Sequence, residues 1–283
     1  MTTRTAKRDT NDSDQVLLEA VRAGDRRALE RLLERHESGV YRFGMKMCRQ
    51  EEDAKDVLQE TLLAAARHLP DFRGASSIST WLYTVARSFC IKKRRTSKFA
   101  PQQLESLEAQ GDAAVEVADS RRGPEEDAAG RQLQQVLDDA IGTLEPMYRE
   151  VLLLRDVEGL SASQVAEIMG LSVEAVKSRL HRARIAVRER VAPHVSPAPD
   201  GAAPDAGCRD VVELFSRRLE GEIDGSACAE LEAHLKACPG CRGRCDSLRA
   251  TLTLCRGAGE TPVPPRVAGS VRSAIRQFLS TRR

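Results

Sequence analysis

Apolar positions recur every three or four residues through most of this chain, the period of a helix with one buried face. Residues 14–23 read as one helix, ended by Gly24 and Asp25. Ala28, Leu29, Leu32 and Leu33 open a second, continued by Val40, Tyr41, Gly44 and Met47. A third spans Glu51 to Leu69, with Ala54, Val57, Leu58, Leu62 and Ala65 on one face and Pro70 as its stop. After the loop DFRGASSIST, a fourth begins at Trp81. Further on, Leu133, Val136, Leu137, Ala140, Ile141 and Leu144 form another face. Pro146 opens the next helix, and Val151 to Leu154 is a buried run. Near the end, Val267, Val271, Ile275 and Phe278 make a stripe that must cover something the sequence does not identify.

The most specific pattern is GLSASQVAEIMGLSVEAVKSRLHRARIAVRER, from Gly159 to Arg190. Ser161 and Gln164 have capping-box spacing. Gly170 suits the left-handed residue that ends a helix, and Ser172 caps the next one. That second helix has an apolar stripe at Val176, Leu180, Ala183 and Val187. Lys177, Arg179, His181, Arg182, Arg184, Arg188 and Arg190 occupy its other faces. Capping, turn and charge agree with a helix-turn-helix whose second helix enters a DNA groove.

Composition narrows the rest. Lys plus Arg is 44 and Asp plus Glu is 42, so the net charge of +2 says less than where the charges lie. The rings of Trp81, Tyr83 and Phe89 interleave with the start of a basic run, Arg87, Lys92, Lys93, Arg94 and Arg95, a combination that grips phosphates and stacks bases. Trp81 and Phe89 are expected to be core residues below that basic face. No apolar run is long enough to span a membrane, the first residues lack the apolar core of a secretory signal, and a cytoplasmic protein is expected. The fold class expected is all-α: two small helical domains and a small metal-stapled helical C-terminal module. The division is 1–13 disordered, 14–99 first domain, 100–130 acidic flexible linker, 131–192 helix-turn-helix domain, 193–207 Pro-rich linker, 208–256 cysteine-rich domain, and 257–283 Pro-rich joint and last helix.

Six of the eight cysteines crowd the C-terminal part, which in a reducing cytosol points to metal rather than disulfides. His234, Cys238 and Cys241 form a His-x3-Cys-x2-Cys array, with Cys208 as a fourth ligand and Pro239-Gly240 as the turn between the two cysteines. One nitrogen and three thiolates suit a closed tetrahedral zinc site. Cys228, Cys245 and Cys255 are either buried thiols or a second site for a thiophilic ion.

DAKDVLQETLLAAARHLPDFRGASSISTWLYTVARSFCIKKRR and LSASQVAEIMGLSVEAVKSRLHRAR together resemble regions 2 and 4 of a bacterial extracytoplasmic-function sigma factor, over about residues 14–192. The resemblance implies that Asp53, Asp56, Gln59 and Glu60 meet the β′ subunit of core RNA polymerase, which also offers its β subunit. It implies that the loop from Phe72, with Arg73, Ser76 and Ser77, and the helix after it, with Thr80, Trp81, Arg87, Lys92, Lys93, Arg94 and Arg95, melt and read a −10 promoter element. It implies that Ser172, Val173, Glu174, Lys177, Ser178, Arg179, His181, Arg182 and Arg184 enter the major groove at −35. The C-terminal addition is similar to zinc-binding anti-sigma modules, and in cis to the CorE-like metal-responsive group, so that copper or cadmium are candidate sensed metals beside a structural zinc. A separate anti-sigma factor is a further candidate partner.

The expected function is therefore a promoter-specificity subunit with a metal-binding regulatory domain in cis, and no catalysis of its own. A helix-turn-helix regulator not bound to polymerase is the alternative, but leaves the basic, aromatic first domain unexplained. A thiol oxidoreductase using Cys238 and Cys241 lacks the strand that precedes redox C-x-x-C pairs.

Overall fold

Asp25 shows how the sequence cuts the chain into helices: its carboxylate accepts from the Arg27 and Ala28 backbone N–H groups, at 2.8 and 3.1 Å. The structure, a computed structural model, describes residues 14–74, 76–99, 124–195, 208, 210–258 and 262–281. The N-terminal 1–13, residues 100–123 of the acidic linker and 196–207 of the Pro-rich linker lie outside them. Among the described residues the regular elements are all helices, without strands. They divide into two compact units, residues 1–121 with 261–283, and residues 122–260.

The first unit holds α1 (14–22), α2 (Arg26–Cys48), α3 (Glu51–His68), α4 (Ile78–Phe99) and α12 (Pro265–Ser280). Asp14 anchors α1, bonding Arg35 and His36 of α2 at 2.8 Å each. Arg49 turns the corner after α2 in the left-handed conformation, φ 62°. Gly44 lets α2 and α3 approach closely: a Cβ there would lie 3.3 Å from the Ala54 Cα. Between α3 and α4, Leu69–Asp71 form one 3-10 turn. Ser77 then caps α4, accepting from the Thr80 N–H at 3.1 Å, so α4 starts three residues before the expected Trp81.

The stripe on α12 finds its cover here. Val267, Val271 and Ile275 are buried as α12 packs on α3. Arg272 reaches Glu37 of α2 at 3.0 Å, Arg266 reaches Glu51 at 2.8 Å, and the Arg67 guanidinium sits 5.1 Å from the Phe278 ring centroid.

The second unit holds α5 (Pro124–Gly142), α6 (Pro146–Leu152), α7 (Ala162–Met169), α8 (Val173–Val195), α9 (Val211–Leu219), α10 (Gly225–Ala237) and α11 (Pro239–Gly257). α5 begins inside the segment expected as acidic linker. α8 runs on through Pro193, expected to open the second linker. So near the helix end, the missing proline N–H costs little of the ladder. Residues Leu153–Val157 after α6 form a π-helical turn, in which the Glu158 N–H reaches the Leu153 carbonyl at 2.8 Å. That wider turn buries Asp156 together with Leu153 and Leu154.

Candidate nucleic-acid interface and metal centre

The helix-turn-helix forms as its sequence dictates. Ser161 Oγ accepts from the Gln164 N–H at 3.2 Å, and Gln164 Oε1 accepts from the Ser161 N–H at 2.9 Å, which closes the capping box. Gly170 takes φ 66°, and Ser172 Oγ caps α8 through the Ala175 N–H at 3.1 Å. Val176, Leu180, Ala183 and Val187 are buried, none more than 1% exposed.

The polar faces of α8 are not all open. Ser172, Glu174, Ser178 and Arg182 are exposed, and Val173, Lys177 and Arg179 are half-buried. His181 and Arg184 are buried, at 6% and 3% exposure. His181 lies between Ser216 Oγ of α9, 2.8 Å from Nδ1, and Glu222, 2.7 Å from Nε2. Lys177 reaches the other Glu222 oxygen at 3.5 Å. The Arg184 Nε and Nη2 donate to Asp156 at 2.7 and 2.6 Å. Its Nη2 also donates to Glu220 at 2.8 Å, which Arg155 holds from the other side at 3.1 Å. The two carboxylates outweigh burial and raise the Arg184 pKa above its ordinary value, so it stays a cation. Arg188 donates to Ser247 Oγ of α11 at 2.7 Å. Burial is the main pull on Glu222 and opposes ionisation, but hydrogen bonds from His181 and the charges beside it hold its carboxyl below the ordinary range. In this conformation His181 and Arg184 therefore face α9 and the turn before α10. The family resemblance placed both of them in the DNA major groove. Glu220, Glu222, Ser216 and Asp156, the groups that occupy them, carried no motif.

The first unit presents the other residues expected at nucleic acid. Phe72 and Trp81 are both half-buried, in an edge-to-face pair with centroids 6.0 Å apart, and His68 flanks Trp81 at 6.4 Å. Phe89 is likewise half-buried, and Tyr83 is buried against Phe43. Arg73, Lys92, Arg94 and Arg95 are exposed, and Ser76, Ser77 and Arg87 are half-buried. Thr80 is buried, its hydroxyl 2.8 Å from that of Ser77, so it supports the loop from beneath. Lys93 pairs with Asp53 at 3.1 Å and also with Asp56, the acids expected at polymerase. Asp56 and Glu60 are exposed; Asp53 and Gln59 are half-buried.

The metal centre gathers four residues from three places. Cys208 precedes α9, His234 lies in the last turn of α10, and Cys238 sits between α10 and α11 with φ −112° and ψ 102°. Cys241 lies in the first turn of α11. Pro239 and Gly240 are thus the start of α11, not the expected separate turn, and Pro239 fits the first helical position. The ligand atoms of Cys208, His234, Cys238 and Cys241 all lie within 4.8 Å of one another. The buried His234 Nε2 has no hydrogen-bond partner, as expected of a nitrogen kept for a metal. Hydrogen bonds from the Cys241 backbone and thiol hold Cys238 below the ordinary thiol range, and burial pushes Cys241 up to about 12. A thiol with a lowered pKa and a buried one beside an unpartnered imidazole fit a closed four-ligand site.

Cys228, Cys245 and Cys255 are not brought together. Cys245 and Cys255 stand ten residues apart on one helix, about 15 Å at its usual rise. Cys245 and Cys255 are fully buried, and burial pushes the Cys245 thiol up to about 11. Among the described residues only the Cys208 group has metal-holding geometry, and no helix is long and apolar enough to cross a membrane.

Comparison with known proteins gives these elements their relatives. Residues 32–99 match Sigma-70 region 2, residues 134–187 match Sigma-70 region 4, and residues 208–242 match a zinc-finger family. The chain is 31% identical to the ECF RNA polymerase sigma-E factor of Haemophilus influenzae, over 64% of this chain and 96% of that protein. It is 31% identical to the RNA polymerase sigma-H factor of Pseudomonas aeruginosa, over 65% of this chain and 96% of its relative. A solved structure of CnrH in complex with the cytosolic domain of CnrY aligns at 27% identity with a TM-score of 0.46, covering 62% of this chain and 96% of that one. With sigma-E and sigma-H relatives matched over nearly their whole length, and region 2 and region 4 each built on its own helices, the chain is an RNA polymerase sigma factor of the extracytoplasmic-function family, with a zinc-finger-type module beyond region 4.

Proposed function

We propose that this sigma factor is restrained in cis: its C-terminal module holds the recognition helix α8 in a DNA-excluding state, and release of the module permits promoter binding. The observation that carries this reading is the pairing of His181 and Arg184 with Glu222 and Glu220. Carboxylates there oppose DNA phosphates by charge and occupy two side chains of the groove-facing helix. When α8 is released, Ser172 to Arg184 read −35. Phe72 to Trp81 read −10, and the acidic side of α3 meets the β′ subunit in the cytoplasm. Polymerase supplies all the chemistry.

Cys208, His234, Cys238 and Cys241 would hold zinc, whose role is to keep α9 to α11 folded as one docking body. Copper or cadmium exchanging into this thiolate-rich site is the signal its donors favour. An ion can open the module only if it binds the open and closed states unequally. An external anti-sigma factor would have to compete with the module for the same helix.

The test is run-off transcription with core polymerase, comparing the full chain with one ending at Val195. Stronger transcription by the shorter chain is expected. Equal activity, with both chains folded, would sink the reading.

A further inference from the structure

Two thiols outside the metal centre meet in region 2. Cys48, the last residue of α2, and Cys90, in α4, place their Sγ atoms 3.8 Å apart. They come from different helices, 42 residues apart in sequence, and neither belongs to the Cys208 group. Cys48 is half-buried, so a small oxidant can reach it, whereas Cys90 is 4% exposed. We propose that Cys48 and Cys90 form a reversible intramolecular disulfide when the protein meets a hydroperoxide.

A disulfide needs about 2.05 Å between sulfurs, so the pair must close by roughly 1.8 Å. Cys48 is well placed to move, because the chain leaves α2 through left-handed Arg49 and extended Gln50. The Cys90 S–H beside it lowers the Cys48 thiol pKa, against opposition from burial and Asp53, with help from Lys93 and Arg94. Half-buried Cys48, the more accessible of the two, is the attacking sulfur.

In the first step, the Cys48 thiolate attacks the terminal peroxide oxygen. The O–O bond breaks, a sulfenic acid forms on Cys48, and the leaving oxygen takes a proton and departs as alcohol or water. Cys90 then gives up its proton and attacks the Cys48 sulfur; the S–O bond breaks, hydroxide leaves as water, and the S–S bond forms. Two thiols have lost two electrons and two protons, and the hydroperoxide has been reduced. A dithiol reverses the link by exchange. Cys90 lies one helical turn before Lys93, which pairs with Asp53 and Asp56. The disulfide would pin that turn of α4 to the α2–α3 corner.

The test uses the full, zinc-loaded chain, treated with hydrogen peroxide, alkylated and digested with trypsin. Residues Met47–Arg49 should be recovered mainly linked to Ser88–Lys92, and the link should vanish with dithiothreitol. Cys48→Ser should leave Cys90 as an alkylatable thiol. Cys90→Ala, which removes the resolving thiol, should send Cys48 on to sulfinic acid. The proposal is overturned if the unmodified chain yields Cys48 as sulfinic acid, or both thiols separately alkylated, at a dose that oxidises Cys48 in the Cys90→Ala chain.

Discussion

Arg184 and Glu220 meet at 2.8 Å with both side chains only 3% exposed, and the same guanidinium holds Asp156 at 2.6 Å. One cation thus joins region 4 to itself and to the C-terminal module. Glu220→Gln with Glu222→Gln should weaken the second link and spare the first. Affinity for a −35 duplex should then rise about tenfold, equivalent to about 1.4 kcal/mol. Its dependence on salt should steepen as more cations reach phosphate. Fluorescence anisotropy across a salt series reads both, and unchanged affinity and slope in a folded double variant would contradict the closed state.

Within a chain ending at Val195, Arg179→Ala or Arg182→Ala should weaken −35 binding without unfolding region 4. A lost bidentate base contact costs about 1–3 kcal/mol, and a lost phosphate contact lowers the salt slope by about one. Arg184→Ala should behave differently: it strands buried Asp156, a loss of about 3–5 kcal/mol in stability. If thermal melting separates Arg184→Ala from the other two variants, the assignment of roles along α8 holds. Three equal melting curves would refute it.

Metal content gives a third check. One ion per chain is expected, lost together with the helicity of α9 to α11 in His234→Ala or Cys241→Ser. Replacing Cys228, Cys245 and Cys255 together by Ser should leave that ion bound. Elemental analysis beside circular dichroism decides; a second equivalent lost in the triple variant would reveal a site these helices do not gather.

Arg272 should matter through Glu37. Burial is the largest influence on the Glu37 carboxyl and holds its pKa above the ordinary value, while Arg272 pulls it back. A raised carboxyl pKa contributes stability that is fully present below the unfolded value near 4.5 and lost as pH rises through the folded value. Arg272→Ala should therefore cost about 1–3 kcal/mol at neutral pH, where Glu37 is a buried anion without its partner. The difference from wild type should shrink as pH falls towards the carboxylate range. Glu37→Gln should suppress the effect in a double-mutant cycle. Urea melts at several pH values measure this, and a pH-independent loss would assign Arg272 a packing role instead.

What could be read from the sequence was local. Ser161 with Gln164, Gly170, and the Val176 to Val187 stripe determine the helix-turn-helix because each acts within a turn or two of itself. His234, Cys238 and Cys241 are equally close in sequence, and only Cys208 had to be brought from afar. The destination of the Val267 to Phe278 stripe was not legible, because its partners on α2 and α3 lie about two hundred residues earlier. The burial of His181 and Arg184 was hidden for the same reason. A basic helix reads as groove-facing until the acids at Glu220 and Glu222 are folded against it. That Glu-Gly-Glu turn, between an apolar helix and a metal-binding one, was the available signal.

The first unit is built from two separated stretches of chain, and α12 is the last of the described helices to be synthesised. On the ribosome, α8 is complete at Val195, whereas α11 ends at Gly257. At about 5–20 residues per second, some sixty residues take roughly 3–12 s to follow. Each newborn copy thus passes a few seconds with its recognition helix made and its cover not yet made. The rate of translation through the module therefore determines how long the nascent α8 stands without α9 and α11 against it.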